Sequence, residues 1–275
     1  MLVHNKKALV VEGGAMRGIF AAGVLDAFIA HNHYGFDFSV GVSAGSTNLV
    51  GYLHKQFGRS EKIIINYGTS KQFIDFKRFI KGGHLCDVEW LWRESYHKEP
   101  LKQQLFMPLW VVTTNINTGS AHYYQMKEQD LNHSAIVASC AIPFAYRYYP
   151  LVDDIPMTDG GIADSIPVEF AYQQGARDIT VILSRPQGYR KKPAHLARWL
   201  KQLAHEHPAL HHAILLRHEN YNQTLDFINS PTKDCKIRVI SPPATFPVGR
   251  FTHAKEKLIL GYHQGLEAGI QFLDQ

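Results

Sequence analysis

At 275 residues, with 45% hydrophobic and 19% charged side chains, the chain is too apolar to be disordered and long enough for one large core or two small ones. Lys and Arg exceed Asp and Glu by 29 − 24 = 5, which suits a negatively charged surface such as anionic lipid headgroups. No compact basic block interleaved with aromatics appears, which speaks against nucleic acid.

The N-terminal MLVHNKKALVVEGG has a four-residue apolar run before Glu12, too short for a secretory signal. The run ALVV, residues 8–11, reads as a strand buried on both faces, and the Gly-rich EGGAMRG, residues 12–18, turns it into a helix over IFAAGVLDAFIAH. FDFSVGV is a second strand, and a second helix, STNLVGYLHKQF, starts at the serine of GVSAG. Strand, glycine turn and helix, twice over, predict an α/β sheet. Residues 57–105 show no clean period and read as short helices and surface loops.

PLWVVTTNINTG and HYYQM read as strands and DLNHSAIVASCAIP as a helix stopped by Pro143. LVDDIPMTDGGIAD supplies short strands around a Gly turn, and RDITVILSR another buried strand. The remainder is mostly helical: PAHLARWLKQL, HPALHHAILLRHENYNQTLDFI and HAKEKLILGYHQGLEAGIQFL, with one strand, CKIRVISPP, between the last two. Nothing resembles a repeat, a Pro/Ser-rich linker or a membrane span, so residues 1–275 are read as a single domain. Cys86, Cys140 and Cys235 are odd in number, far apart and without a CxxC pair. They suggest neither a disulfide framework nor a zinc site, and fit a reducing cytoplasm.

Three loops carry the chemistry. EGGAMRG fails the dinucleotide fingerprint, because Ala15 stands where a glycine is needed, and it lacks the G-K-[ST] of a P-loop. Its backbone N–H groups, clear of side-chain bulk, suit an oxyanion hole. GVSAG has the G-x-S-x-G form of a nucleophile elbow, with Gly41 and Gly45 where a side chain would collide with the neighbouring strand or helix. Ser43 at the start of a helix has helix N–H groups and the positive dipole end beside its oxygen. In TDGGIAD, Gly160 and Gly161 let the Asp159 carboxylate approach Ser43 as its general base. Each loop taken alone has a bland reading as a tight turn.

Together and in this order they resemble the patatin-like phospholipase family, whose pattern is a D-G-G-G-x-R-G loop, a G-x-S-x-G elbow and a D-G-[GA] base motif. ASCAIPFAYRYYPL is similar to the family's A-S-x-A-[IF]-P segment. The resemblance covers residues 8–184 well and the C-terminal FTHAKEKLILGYHQG less specifically. It implies a three-layer α/β fold, a mainly parallel central sheet sandwiched between helices. It also implies hydrolysis of a phospholipid or lysophospholipid ester by a Ser43–Asp159 dyad without a cofactor. The N–H groups of Gly13, Gly14 and Ala15, with Ala44, would hold the oxyanion. Gly18, Gly41, Gly45, Gly160 and Gly161 are the motif glycines.

Arg17 matches the family's loop arginine, and would steady the loop or meet a lipid phosphate; an exposed helix-face arginine is the plain alternative. The sequence departs from the pattern at Glu12 and at Ala15, whose N–H serves a hole provided its φ is negative. IPFAYRYYP is a candidate wall for the acyl chain. The basic stretch Arg185–Leu203, with Tyr189 and Trp199, is a candidate for peripheral contact with an anionic membrane at the inner face. The His-rich HEHPALHHAILLRH has no companion Cys or carboxylate pattern, so no metal is expected. Two other assignments stay open: a Ser-His-Asp esterase using His253 or His263, and a non-catalytic lipid- or partner-binding module on the same fold.

Overall fold

The computed structural model describes residues 5–102, 104–126, 133–193 and 203–275. The predicted alternation is present. Strand β1 (Lys6–Val11) leads through one 3-10 turn into α1 (Gly18–Ala30), and β2 (Phe38–Val42) leads into α2 (Ala44–Leu53). The segment before the next strand forms α3 (Arg59–Lys62), continued by a π-helical turn over Ile63–Tyr67, then α4 (Phe76–Ile80) and α5 (Val88–Lys98). After β3 (Leu109–Asn115) and β4 (Ala121–Gln125) come α6 (Ser134–Cys140), the short β5 (Leu151–Val152) and β6 (Ile155–Asp159), α7 (Val168–Gln173) and β7 (Ala176–Ile182). The chain continues with α8 (Pro208–Asn229), β8 (Lys236–Ile240) and α9 (Lys255–Leu273). The first part of the helix expected over DLNHSAIVASCAIP, and most of PAHLARWLKQL with Trp199, lie outside the described residues.

The eight strands form one sheet in the order β5-β6-β3-β2-β1-β7-β8, with β4 on β3. Pairs β3–β2, β2–β1, β1–β7 and β7–β8 are parallel, and the pairs made by β4, β5 and β6 are antiparallel. Alternation along β1 shows why the sheet is covered on both sides. Leu9 and Val11 join a core with Phe20, Val24, Leu49 and Ile136 from α1, α2 and α6. Ala8 and Val10 join a second core with Phe170, Tyr221 and Leu225 from α7 and α8.

The register of β3 decides where the motifs meet. Trp110–Thr114 pair with β4 on one edge, Ser39–Val42 of β2 pair with Leu109–Val112, and Met157–Asp159 of β6 pair with Thr113–Asn115. Since β4 already occupies Thr113 and Thr114 from its side, β6 must lie on the edge used by β2. It runs in antiparallel just past the end of β2, so Val42 (opposite Val112) and Asp159 (opposite Thr113) fall at adjacent positions of one edge.

Helix α1 is buried from Gly18 to Phe28, with α9 pressed against it. That approach depends on glycine: a Cβ on Gly265 would stand 2.1 Å from the Phe20 carbonyl oxygen. Within this contact the buried Asp26 accepts from the Tyr262 hydroxyl at 2.7 Å and the Gly58 N–H at 3.0 Å. Burial raises its pKa to about 6 despite both bonds.

Candidate active site

Strand β2 is buried at every position and delivers the chain to Ser43, which takes φ 52° and ψ −124° and caps α2. A positive φ on serine is costly and is held by its surroundings, as a nucleophile elbow requires. A Cβ on Gly45 would stand 2.4 Å from the Val11 carbonyl oxygen, so the turn closes against β1 only without one. The Ser43 N–H donates to Ser139 Oγ at 2.8 Å, and Ser139 Oγ donates to the Val112 carbonyl at 2.6 Å. Ser139, in the ASCAIP segment, thus ties the elbow to β3, a role the sequence reading did not give it.

Asp159 ends β6 and is buried. Its N–H donates to the Ala141 carbonyl at 3.0 Å, its carbonyl accepts from Thr114 Oγ1 at 2.8 Å, and its Oδ1 accepts from the Gly161 N–H at 2.8 Å. Burial pushes its pKa above the ordinary carboxylate value, against the pull of Arg217, the Gly161 N–H and the Ser43 hydroxyl. That balance suits a base that must both take and return a proton.

The loop before α1 is anchored from below. Glu12 Oε2 accepts from the Ser184 N–H at 2.6 Å and Oε1 from the Tyr221 hydroxyl at 3.0 Å. Arg17 is buried, not on an exposed helix face: its Nε donates to the Ser184 carbonyl at 3.2 Å and its Nη2 to Ser184 Oγ at 3.2 Å. It lines neither of the cavities at Ser43 and supports the loop. Ala15 has φ 50°, so the negative φ on which its part in the hole depended is absent, and an alanine holds a left-handed turn that glycine adopts freely. Among the described residues the N–H groups of Gly13, Gly14, Ala15 and Ala44 donate to no protein acceptor, whereas that of Met16 donates to the Arg250 carbonyl at 3.3 Å.

Two cavities meet at Ser43. One is apolar and lined by Met16, Ile63, Ile64, Phe73, Leu91 and Trp92 among others. Much of its wall comes from residues 60–95, which the sequence assigns to short helices and surface loops, and Met16, Ile136, Val137 and Phe251 complete it. Of IPFAYRYYP only Ile142 faces it. The second is lined by Gly13, Gly14, Asp159, Gly161, Arg217 and Arg250, with Ile142, Pro143 and Phe144 on its apolar side. Cys140 borders the first cavity, and burial pushes its thiol up to about 12, which keeps it neutral. Among the described residues no histidine lines either cavity, and His253 and His263 are exposed, which gives neither of them the geometry of a Ser-His-Asp triad.

Residues 9–172 match the family described as patatin-like phospholipase. The chain belongs to that family. A curated relative, the uncharacterized protein YjjU of Escherichia coli (strain K12), is 34% identical over 247 residues, covering 86% of this chain and 68% of its own length. The solved structure of VipD from Legionella pneumophila shares the fold, with TM-score 0.53 and 13% identity over 98% of this chain and 67% of that one. Patatin-like phospholipases are lipid acyl hydrolases as a family. Residues 207–275 match a domain of unknown function, DUF6363. This part supplies Tyr221, Arg217 and Arg250 to the site, and its contribution was not legible in the family motifs.

Proposed function

We propose that the protein hydrolyses an acyl ester of a phospholipid or lysophospholipid, with Ser43 as nucleophile and Asp159 as general base. The observation that carries this reading is a serine at positive φ, one residue past Val42, beside a buried carboxylate, Val42 and Asp159 holding adjacent positions of one strand edge at the junction of an apolar and a polar cavity. Ser43 Oγ attacks the ester carbonyl while Asp159 takes its proton. The free N–H groups of Gly13, Gly14 and Ala44 stabilise the oxyanion; one such donor is worth about 3 kcal/mol of barrier. Collapse breaks the bond to the alcohol oxygen, which receives the proton from Asp159, and water then repeats the sequence on the acyl-enzyme. The acyl chain occupies the apolar cavity. We read residues 1–275 as one catalytic domain, because β8 and α9 join the same sheet and core as β1 and α1.

A fluorophosphonate probe, with adduct mapping by mass spectrometry in buffer and in detergent micelles, tests the reading. Label on Ser43, lost in Ser43→Ala and strongly reduced in Asp159→Asn, is expected. An unlabelled Ser43 in both media, with the protein folded, would favour the non-catalytic lipid-binding alternative.

A further inference from the structure

We propose that Arg217 and Arg250 form a subsite for a phosphate carried by the ester's leaving group, so that the C-terminal segment selects acyl esters of phosphorylated alcohols. The inference rests on the reading of Ser43 and Asp159 as an ester-hydrolysing pair.

The chemistry places the leaving group. Its oxygen must receive a proton from Asp159, so the alcohol lies in the cavity that Asp159 lines, and the apolar cavity is left to the acyl chain. Arg217, on α8, lines that second cavity, and Arg250, before α9, stands where the two cavities meet and lines both. Among the described residues neither side chain makes a hydrogen bond or an ion pair, and the Arg217 Nε is shut off from solvent with no partner. A guanidinium so enclosed is costly unless an anion completes it. The Arg217 Nη2 stands 3.2 Å from where a Cβ on Gly161 would be, which brings its planar fork to the base loop itself.

Charge balance points the same way. Arg17, Arg185, Lys191, Arg217 and Arg250 surround this end of the sheet, and the carboxylates acting on Arg17, Lys191 and Arg217 are Glu12 and Asp159. Arg17 is tied to Ser184, and the Lys191 ammonium sits 4.3 Å over the Tyr221 ring. Arg185 sits 4.5 Å over the Tyr189 ring, and the two cations of this group that line the cavity are Arg217 and Arg250. A pair of guanidinium groups suits a phosphate, which each can engage through two parallel N–H bonds.

The test uses the full chain and two esters with the same acyl group in neutral detergent micelles, 1-oleoylglycerol 3-phosphate and 1-oleoylglycerol. The wild-type protein is expected to prefer the phosphorylated ester. In Arg217→Gln and Arg250→Gln the ratio of kcat/KM for the two esters falls at least tenfold, through KM of the phosphorylated one, and Arg217→Lys recovers part of the ratio. Inorganic phosphate should compete with the phosphorylated ester in the wild type and less so in the Gln variants. Equal losses on both esters would mean that the arginines act only through Asp159, and would overturn the subsite. So would competition by inorganic phosphate without any preference between the esters, which would mark a free-anion site. Cleavage of neither ester, with Ser43 unlabelled by fluorophosphonate, would instead remove the hydrolase reading beneath it.

Discussion

The backbone N–H of Ser43 donates to the hydroxyl of Ser139 at 2.8 Å. The N–H of the proposed nucleophile is thereby committed to holding the elbow, which leaves the oxyanion of the proposed reaction to Gly13, Gly14 and Ala44. Ser139→Ala would leave both this N–H and the Val112 carbonyl without their partner. A loss of about 1–3 kcal/mol in stability is expected by urea unfolding, with a fall in kcat exceeding that in KM.

The raised pKa of Asp159 has a direct kinetic consequence. Only the carboxylate can accept the Ser43 proton, so activity falls as pH drops through that pKa. The acid limb of a kcat/KM profile on a neutral ester should lie above the ordinary carboxylate range. Arg217→Gln, which removes the largest opposing charge, should move the limb to higher pH.

Glu12 and Tyr221 are 209 positions apart and bonded at 3.0 Å, joining the loop after β1 to α8. Gln at position 12 offers one acceptor oxygen to two donors. Glu12→Gln and Tyr221→Phe should therefore each destabilise, and a double-mutant cycle should give a coupling of about 1–3 kcal/mol. Additive losses would show that the two residues act separately.

Asp26 makes stability pH-dependent. Its pKa is about 6 in the folded protein and near the ordinary carboxylate value in the unfolded chain. The native state thus binds the extra proton between these values, and its contribution, full at the acid end, is lost as pH rises through about 6. The span corresponds to about 3 kcal/mol. Asp26→Asn should flatten that part of the profile, measured as urea midpoints at pH 4.5 and 7.5.

Helix α4 leaves Phe76 67% and Ile80 83% exposed beside the exposed Lys77 and Lys81. It follows directly on Phe73 and Ile74, which line the apolar cavity. Apolar and cationic side chains in one short stretch are the composition that anionic bilayers attract. Phe76→Ser/Ile80→Ser should reduce co-sedimentation with phosphatidylglycerol vesicles several-fold and leave hydrolysis of a water-soluble ester intact.

The sequence by itself determined the elements around the three motifs. Each depends on what neighbouring residues do: alternation buries β1 on two faces, glycines permit the tight approach at Gly45, and the Gly161 N–H reaches back two residues to Asp159. The order of the motifs identified the family. The wall of the apolar cavity was not legible, because residues 60–95 acquire an inner face only when packed against α2 and α6. Nor was the left-handed turn at Ala15, where local preference opposes the observed conformation. Ser139 at the elbow, Tyr221 on Glu12, and Arg217 with Arg250 beside Asp159 were decided by tertiary structure alone. Their partners lie far away in the chain, and whether a hydroxyl or a guanidinium meets them depends on distances that only the packed sheet and helices fix.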